Sequence, residues 1–176
     1  IGYAGPLYIC RDHGGPWQRD AELAAKLPVE RAMELARQSL EEDLRAGFNY
    51  LHIDPTKCPF PFTRKELIRW TIELIGCCER IRSSLGIDSV DYEIGAEDIQ
   101  GSVTSEQEFA SFLECTIGEL KREGLPLPTC IVGQTGTLTR LDRNVGRFDR
   151  HQTARLAEIA GRCGIGLKEH NGDYLS

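Results

Sequence analysis

What the sequence lacks excludes more than any single motif in it asserts. No apolar run approaches the ~20 residues of a membrane-spanning helix, and nothing at the start reads as a signal peptide. The expectation is a cytoplasmic protein with no membrane partner. Basic runs and basic-aromatic interleaving are missing, and the net charge is -6, so nucleic acid is excluded as a partner. An anionic substrate is not, because a local basic pocket can sit on an acidic protein. There is no G-x-G-x-x-G and no Walker A motif, which weakens a nucleotide-binding Rossmann reading. There is no G-x-S-x-G elbow. The seven cysteines, Cys10, Cys58, Cys77, Cys78, Cys115, Cys130 and Cys163, are odd in number, scattered and without a C-x-x-C pair. They read as free thiols rather than a disulfide frame. No repeat is visible by residue identity, and no segment is of low complexity.

The 176 residues, 40% of them hydrophobic, suit one domain with its own core. Short apolar runs alternate with helical patterns at a period of about 40 residues, which is the signature of βαβ units and a parallel sheet. Strands are expected at Leu7–Cys10, Phe48–Ile53, Val90–Glu97, Thr129–Gly133 and Gly166–Glu169. Helices are expected over Val29–Ala46, from the capping box at Thr63 to Leu85, from a second capping box at Ser105 to Gly124, and over Arg150–Cys163. The chain opens on Ile1 rather than methionine, so a fragment or a processed product is expected.

Each strand stops on groups able to hold a metal, a proton or a sugar. The first ends in Asp12-His13-Gly14-Gly15-Pro16, whose glycines let the backbone approach a ligand closely. The second ends in Asp54, the third in Glu97, the fourth in Gln134, and the fifth in His170, with Asn171 and Asp173 just beyond. In a parallel sheet these five stops share one edge, where α/β folds place their sites. Glu97 ranks above Glu93 because it lies at the strand end. His52, inside a strand, reads as a satisfied core or barrel histidine. Lys57, Arg140 and Arg143 are candidate contacts for a substrate phosphate, the two arginines as bidentate donors. The loop at Gly101-Ser102 is placed to close over a site.

Two histidines, His13 and His170, with a carboxylate such as Glu97, suit a divalent ion with open positions. Such an ion polarises a carbonyl and stabilises an enediolate, while a nearby carboxylate, Asp12, Asp54 or Glu97, moves the proton. That chemistry serves aldol cleavage, epimerisation or isomerisation of a sugar.

The segments Asp12-His13-Gly14-Gly15-Pro16, Ala46 to Asp54, Tyr92 with Ile94-Gly95-Ala96-Glu97, Ile131 to Gly136, and Glu169-His170-Asn171-Gly172-Asp173-Tyr174 together carry a family likeness. In this order they resemble the class II D-tagatose-bisphosphate aldolase non-catalytic subunit family, over nearly the whole chain. The resemblance implies a TIM-type parallel (β/α) barrel, of which residues 1–176 form one α/β domain of about five strands, a segment of a larger (β/α)₈ barrel. It implies zinc as the divalent metal, with His13 at a ligand position and Asp12 beside it as acid or base. Asp54, Glu97 and His170 fall on further strand ends of that site. Two departures stand out. Active aldolases of this kind carry His-Gly where this chain has Gln134-Thr135-Gly136, and the chain supplies five strands rather than eight. Two readings follow. One is a metal-dependent aldolase or epimerase acting on a ketose or ketose phosphate. The other is a non-enzymatic subunit that binds and stabilises a catalytic aldolase partner. A homo-oligomer paired through open sheet edges is a further expectation.

Overall fold

A computed structural model describes residues 2, 4, 5, 7–95 and 105–170. In chain order its elements are β1 (Cys10–Gly14), α1 (Asp20–Ala24), α2 (Val29–Arg45), β2 (Tyr50–Ile53), α3 (Arg64–Leu85), β3 (Asp91–Gly95), α4 (Glu106–Arg122), β4 (Cys130–Val132), β5 (Thr139–Arg140), β6 (Arg143–Asn144), α5 (Arg150–Arg162) and β7 (Gly166–Lys168).

Five strands form one parallel sheet in the order β1-β2-β3-β4-β7. The order never reverses. A doubly wound sheet doubles back and so puts helices on both faces, whereas a sheet that only advances keeps them on one. The side chains bear this out. In-register neighbours Ile53, Ile94, Ile131 and Leu167 form an apolar row. They join one core with Ala36, Leu40 and Leu44 of α2, Leu74 and Ile75 of α3, Phe109, Leu113 and Leu120 of α4, and Leu156 and Ala160 of α5. Helix-period stripes thus meet the odd-numbered or even-numbered half of each strand and leave the other half facing away.

Local chemistry fixes the helix ends. Thr63 accepts from Glu66 N while the Glu66 carboxylate accepts from Thr63 N, which is the expected capping box. Ser105 accepts from Glu108 N, and Asp149 from the amides of His151 and Gln152. Gly86 closes α3 in the left-handed region.

Three features differ from the sequence expectation. The first strand starts at Cys10, not Leu7, and runs through Asp12 and His13 to Gly14. Asn49 takes up the preceding segment instead, accepting from Ile9 N and donating to Leu7 O. Leu7 and Tyr8 are exposed beside this sheet edge. The short helix α1 carries too little periodicity to be seen in sequence. The polar loop after β4 folds into the antiparallel ribbon β5–β6, separate from the main sheet. All seven cysteines are free thiols.

Candidate metal centre

The face of the sheet away from the helices is polar. Counting by two along β2 places Tyr50, His52 and Asp54 on it. β3 adds Glu93 and Gly95, and β7 adds Lys168 and, just beyond, His170. At the strand ends three imidazoles meet. Ring centroids are 4.7 Å apart for His13 and His52, 5.1 Å for His13 and His170, and 5.3 Å for His52 and His170. One ligand atom from each of these histidines and from Asp12 can be chosen so that all four lie within 4.8 Å of one another.

A β-bulge builds this corner. Between Arg11 and Gly14 the first strand spends three residue steps against two on β2. His13 takes up the extra residue with φ +50°, a left-handed conformation that a side chain rarely adopts. A regular strand would point Asp12 and His13 to opposite faces. Here Asp12 Oδ1 lies 3.8 Å from both His13 Nε2 and His52 Nδ1. The glycines that follow are needed for space: a Cβ on Gly15 would sit 2.1 Å from Asp54 O. Gly95 does the same for the cluster itself, since a Cβ there would meet Asp54 Oδ1 at 2.9 Å and His52 Nε2 at 3.1 Å.

Asp54 orients His13. Its Oδ2 is 2.6 Å from His13 Nδ1, and its Oδ1 accepts from Thr56 N at 3.0 Å and Thr56 Oγ1 at 2.5 Å. Gln18 Nε2 donates to Asp54 O at 2.8 Å and reaches Oδ2 at 3.2 Å. Burial would raise this carboxyl, but the bond from His13, the nearby His52 and the Thr56 bonds outweigh it. They hold it well below the usual carboxylate range. An ionised Asp54 accepts the Nδ1 proton and turns Nε2 of His13 toward the other imidazoles, the usual arrangement behind a metal-ligating histidine.

His52 is only 1% exposed, and neither ring nitrogen makes a hydrogen bond. Burial lowers its pKa to about 4, against the pull of Asp54 and Glu93, so the ring is neutral at neutral pH. A buried imidazole with two unsatisfied nitrogens is costly as a core residue and well suited as a ligand. Glu93 is fully buried. Its Oε2 is 2.7 Å from Lys168 Nζ, and its Oε1 stands 3.4 Å from both His52 Nδ1 and His170 Nε2. Desolvation opposes its ionisation, yet the contacts of His170 and Lys168 bring its pKa down to about 2. Thr137 Oγ1 lies 2.5 Å from Glu169 Oε1 and 2.6 Å from His170 O, so the loop after β4 holds the segment that carries His170.

Of the residues singled out in the sequence, the fold brings together Asp12, His13, Asp54 and His170. Gln134 follows β4 and is half-buried. Lys57 lies in the loop after β2, also half-buried, while Arg140 and Arg143 face each other in register on the exposed β5–β6 ribbon. Glu97, Asn171, Asp173 and the Gly101-Ser102 loop lie outside the described residues. His52 is buried on the barrel side, as expected, but the reading of it as a satisfied histidine is corrected: both ring nitrogens lack a hydrogen bond and it belongs to the histidine cluster. Glu93, ranked below Glu97 in the sequence, is in contact with His52 and His170. Lys168, Gln18, Thr56 and Thr137 were not foreseen. For His52, Glu93 and Lys168 the signal was available, since each lies two residues before Asp54, Gly95 or His170 on the same face.

No protein-family model and no curated protein sequence matches the chain. Solved structures do. A probable tagatose 6 phosphate kinase from Sinorhizobium meliloti 1021 superposes with a TM-score of 0.64 at 23% identity, over 93% of this chain and 41% of that one. The YdjI aldolase from Escherichia coli K12 superposes with a TM-score of 0.54 at 15% identity, over 98% of this chain and 48% of that one. The chain therefore spans less than half the length of either. At these identities the likeness speaks for the fold. This is an α/β protein whose five parallel strands form part of a TIM-type (β/α) barrel. The polar face is the one that points into such a barrel, and the histidines sit at its C-terminal mouth.

Proposed function

We propose that this chain carries the metal centre of a carbohydrate-metabolism protein of aldolase type, acting on a ketose or ketose phosphate by aldol cleavage or epimerisation. The observation that carries the reading is the triangle of His13, His52 and His170 on three strand ends, with His52 buried and unsatisfied at both nitrogens. Three imidazoles and an adjacent carboxylate fit a divalent ion, with zinc the first candidate. When bound, such an ion supplies Lewis acidity toward a carbonyl or a vicinal diol.

The residues of the chain do the rest. Asp54 holds His13 in one tautomer and orientation. Asp12, its side chain 76% exposed at the mouth, is placed to take or return a proton at the substrate carbon. Glu97 beyond β3, and Asn171 and Asp173 beyond His170, belong to the same strand-end rim in the sequence and are proposed as further proton-transfer and hydroxyl contacts. Lys57, Arg140 and Arg143 are proposed to meet a phosphate. Gln134 favours a second reading. It stands where the active class II aldolases related to the resembled family carry histidine, which suits a subunit that supports a catalytic aldolase partner.

Two measurements decide between these. One is the metal content of the purified protein. The other is a screen against ketoses and ketose phosphates, alone and with a catalytic aldolase added. One equivalent of divalent metal and turnover alone supports the enzyme. A folded protein without metal, active only as an enhancer of the partner, supports the accessory role and overturns the first reading.

A further inference from the structure

We infer that Glu93 is a positioning residue shared by two of the three histidines, with Lys168 as the tether that holds it in place. The inference deepens the metal reading above and rests on it for its consequence, though not for its geometry. Glu93 is wholly buried on the inward face of β3, and one carboxylate oxygen is occupied by Lys168 Nζ at 2.7 Å. The other, Oε1, makes no hydrogen bond, yet stands at the same 3.4 Å from His52 Nδ1 and from His170 Nε2. His52 Nδ1 is also without a hydrogen bond. Two buried, unsatisfied, complementary atoms facing each other are most simply each other's partners, closing by a few tenths of an ångström.

The register explains why a single residue reaches both rings. Glu93 is directly opposite His52 on β2. Lys168 is in register with Val132, two positions further along β4 than Glu93's own partner Cys130. Lys168 therefore crosses β4 diagonally to the carboxylate and draws it toward β7, where His170 follows. The consequence is a division of labour. Asp54 fixes His13, while Glu93 keeps the proton of His52 on Nδ1 and that of His170 on Nε2. Nε2 of His52 and Nδ1 of His170 are then the nitrogens left as acceptors. Lys168 neutralises the second buried carboxylate behind the imidazoles through Oε2 and leaves Oε1 facing the two rings.

The test reads imidazole tautomers directly. The chain has four histidines, and the fourth, His151, lies exposed on α5 as an internal reference. Two-bond proton-nitrogen spectra of the metal-free, nitrogen-15-labelled protein should show His52 protonated on Nδ1 and His170 on Nε2. The double variant Glu93→Met/Lys168→Met leaves no unpaired charge. It should release both tautomers while His13 and His151 keep their signals, which also certifies the fold. Glu93→Gln, retaining one acceptor oxygen, should fall between. Zinc affinity should drop about 10–100-fold in the double variant. Unchanged His52 and His170 tautomers in that variant overturn the inference. If the tautomers respond but the wild type binds no zinc, the positioning role stands and the metal reading fails. If zinc binds and the tautomers ignore Glu93, the reverse holds.

Discussion

The two faces of the central sheet are built from alternate residues of the same strands, yet they obey different rules. Toward the helices, Ile53, Ile94 and Ile131 are wholly buried in one apolar core. Toward the barrel interior, His52, Glu93 and Asp54 are buried almost as completely, but among charges and imidazoles. Ordinary barrels fill that interior with branched apolar side chains. Burying polar groups there costs stability unless each finds a partner. Here the partners are incomplete at His52 and at one oxygen of Glu93. One face therefore holds the fold together, and the other stores unsatisfied ligand capacity on a scaffold the first keeps rigid.

Substitutions that act on one face should leave the other's property intact. The largest effect is expected from Ile94→Ala, which opens a cavity between β3 and the helices. Chemical unfolding should show a loss of about 2–5 kcal/mol, with zinc affinity unchanged once the protein is folded. If affinity falls in proportion to stability, the faces are not separable.

Acid should strike the inner face first. In metal-free protein the pKa of His52 is depressed to about 4 by burial. The unfolded chain, with a histidine near 6.5, binds the extra proton first. Stability is then complete above about pH 6.5 and is lost as pH falls toward 4. Glu93, depressed to about 2, adds a second loss that begins as pH falls through the ordinary carboxylate range and grows toward 2. His52→Leu should abolish the first window and keep the second. Thermal melts from pH 8 to 3 read both, and an identical profile in the variant would refute the assignment.

A more modest effect is expected of Asp54→Asn. It preserves volume but replaces an ionised acceptor behind His13, so zinc affinity should fall about 10–100-fold with little change in melting temperature. Wild-type affinity in this variant would show that His13 needs no orienting carboxylate. Smallest in reach is Arg140→Ala/Arg143→Ala on the exposed ribbon. It should leave stability and zinc binding alone and raise only the KM for a phosphorylated substrate.

The same comparison explains what was legible in the sequence. The helices and the parallel order followed from periodicity and capping residues such as Thr63 and Ser105, because local chemistry dictates them. The strand-end residues Asp12, His13, Asp54 and His170 were also visible, because each interrupts an apolar run. His52 and Glu93 were ranked below the strand-end residues because they sit inside strands, and Lys168, also inside a strand, was not singled out. Their meaning depends on register across β2, β3, β4 and β7, which no single strand displays. The bulge at His13 was hidden for a related reason: one extra residue is a property of the β1–β2 pair, not of either segment alone.

The central claim is that His52, buried inside a strand, belongs to the same centre as His13 and His170. Titration of the metal-free protein with zinc against a competing chelator tests it most directly, in the wild type and in His13→Ala, His52→Ala and His170→Ala. The account predicts one equivalent of zinc bound by the wild type and a loss of at least about 100-fold in each variant, His52→Ala no less than the other two. Wild-type affinity in a folded His52→Ala protein would contradict it and return His52 to the status of a barrel-filling side chain.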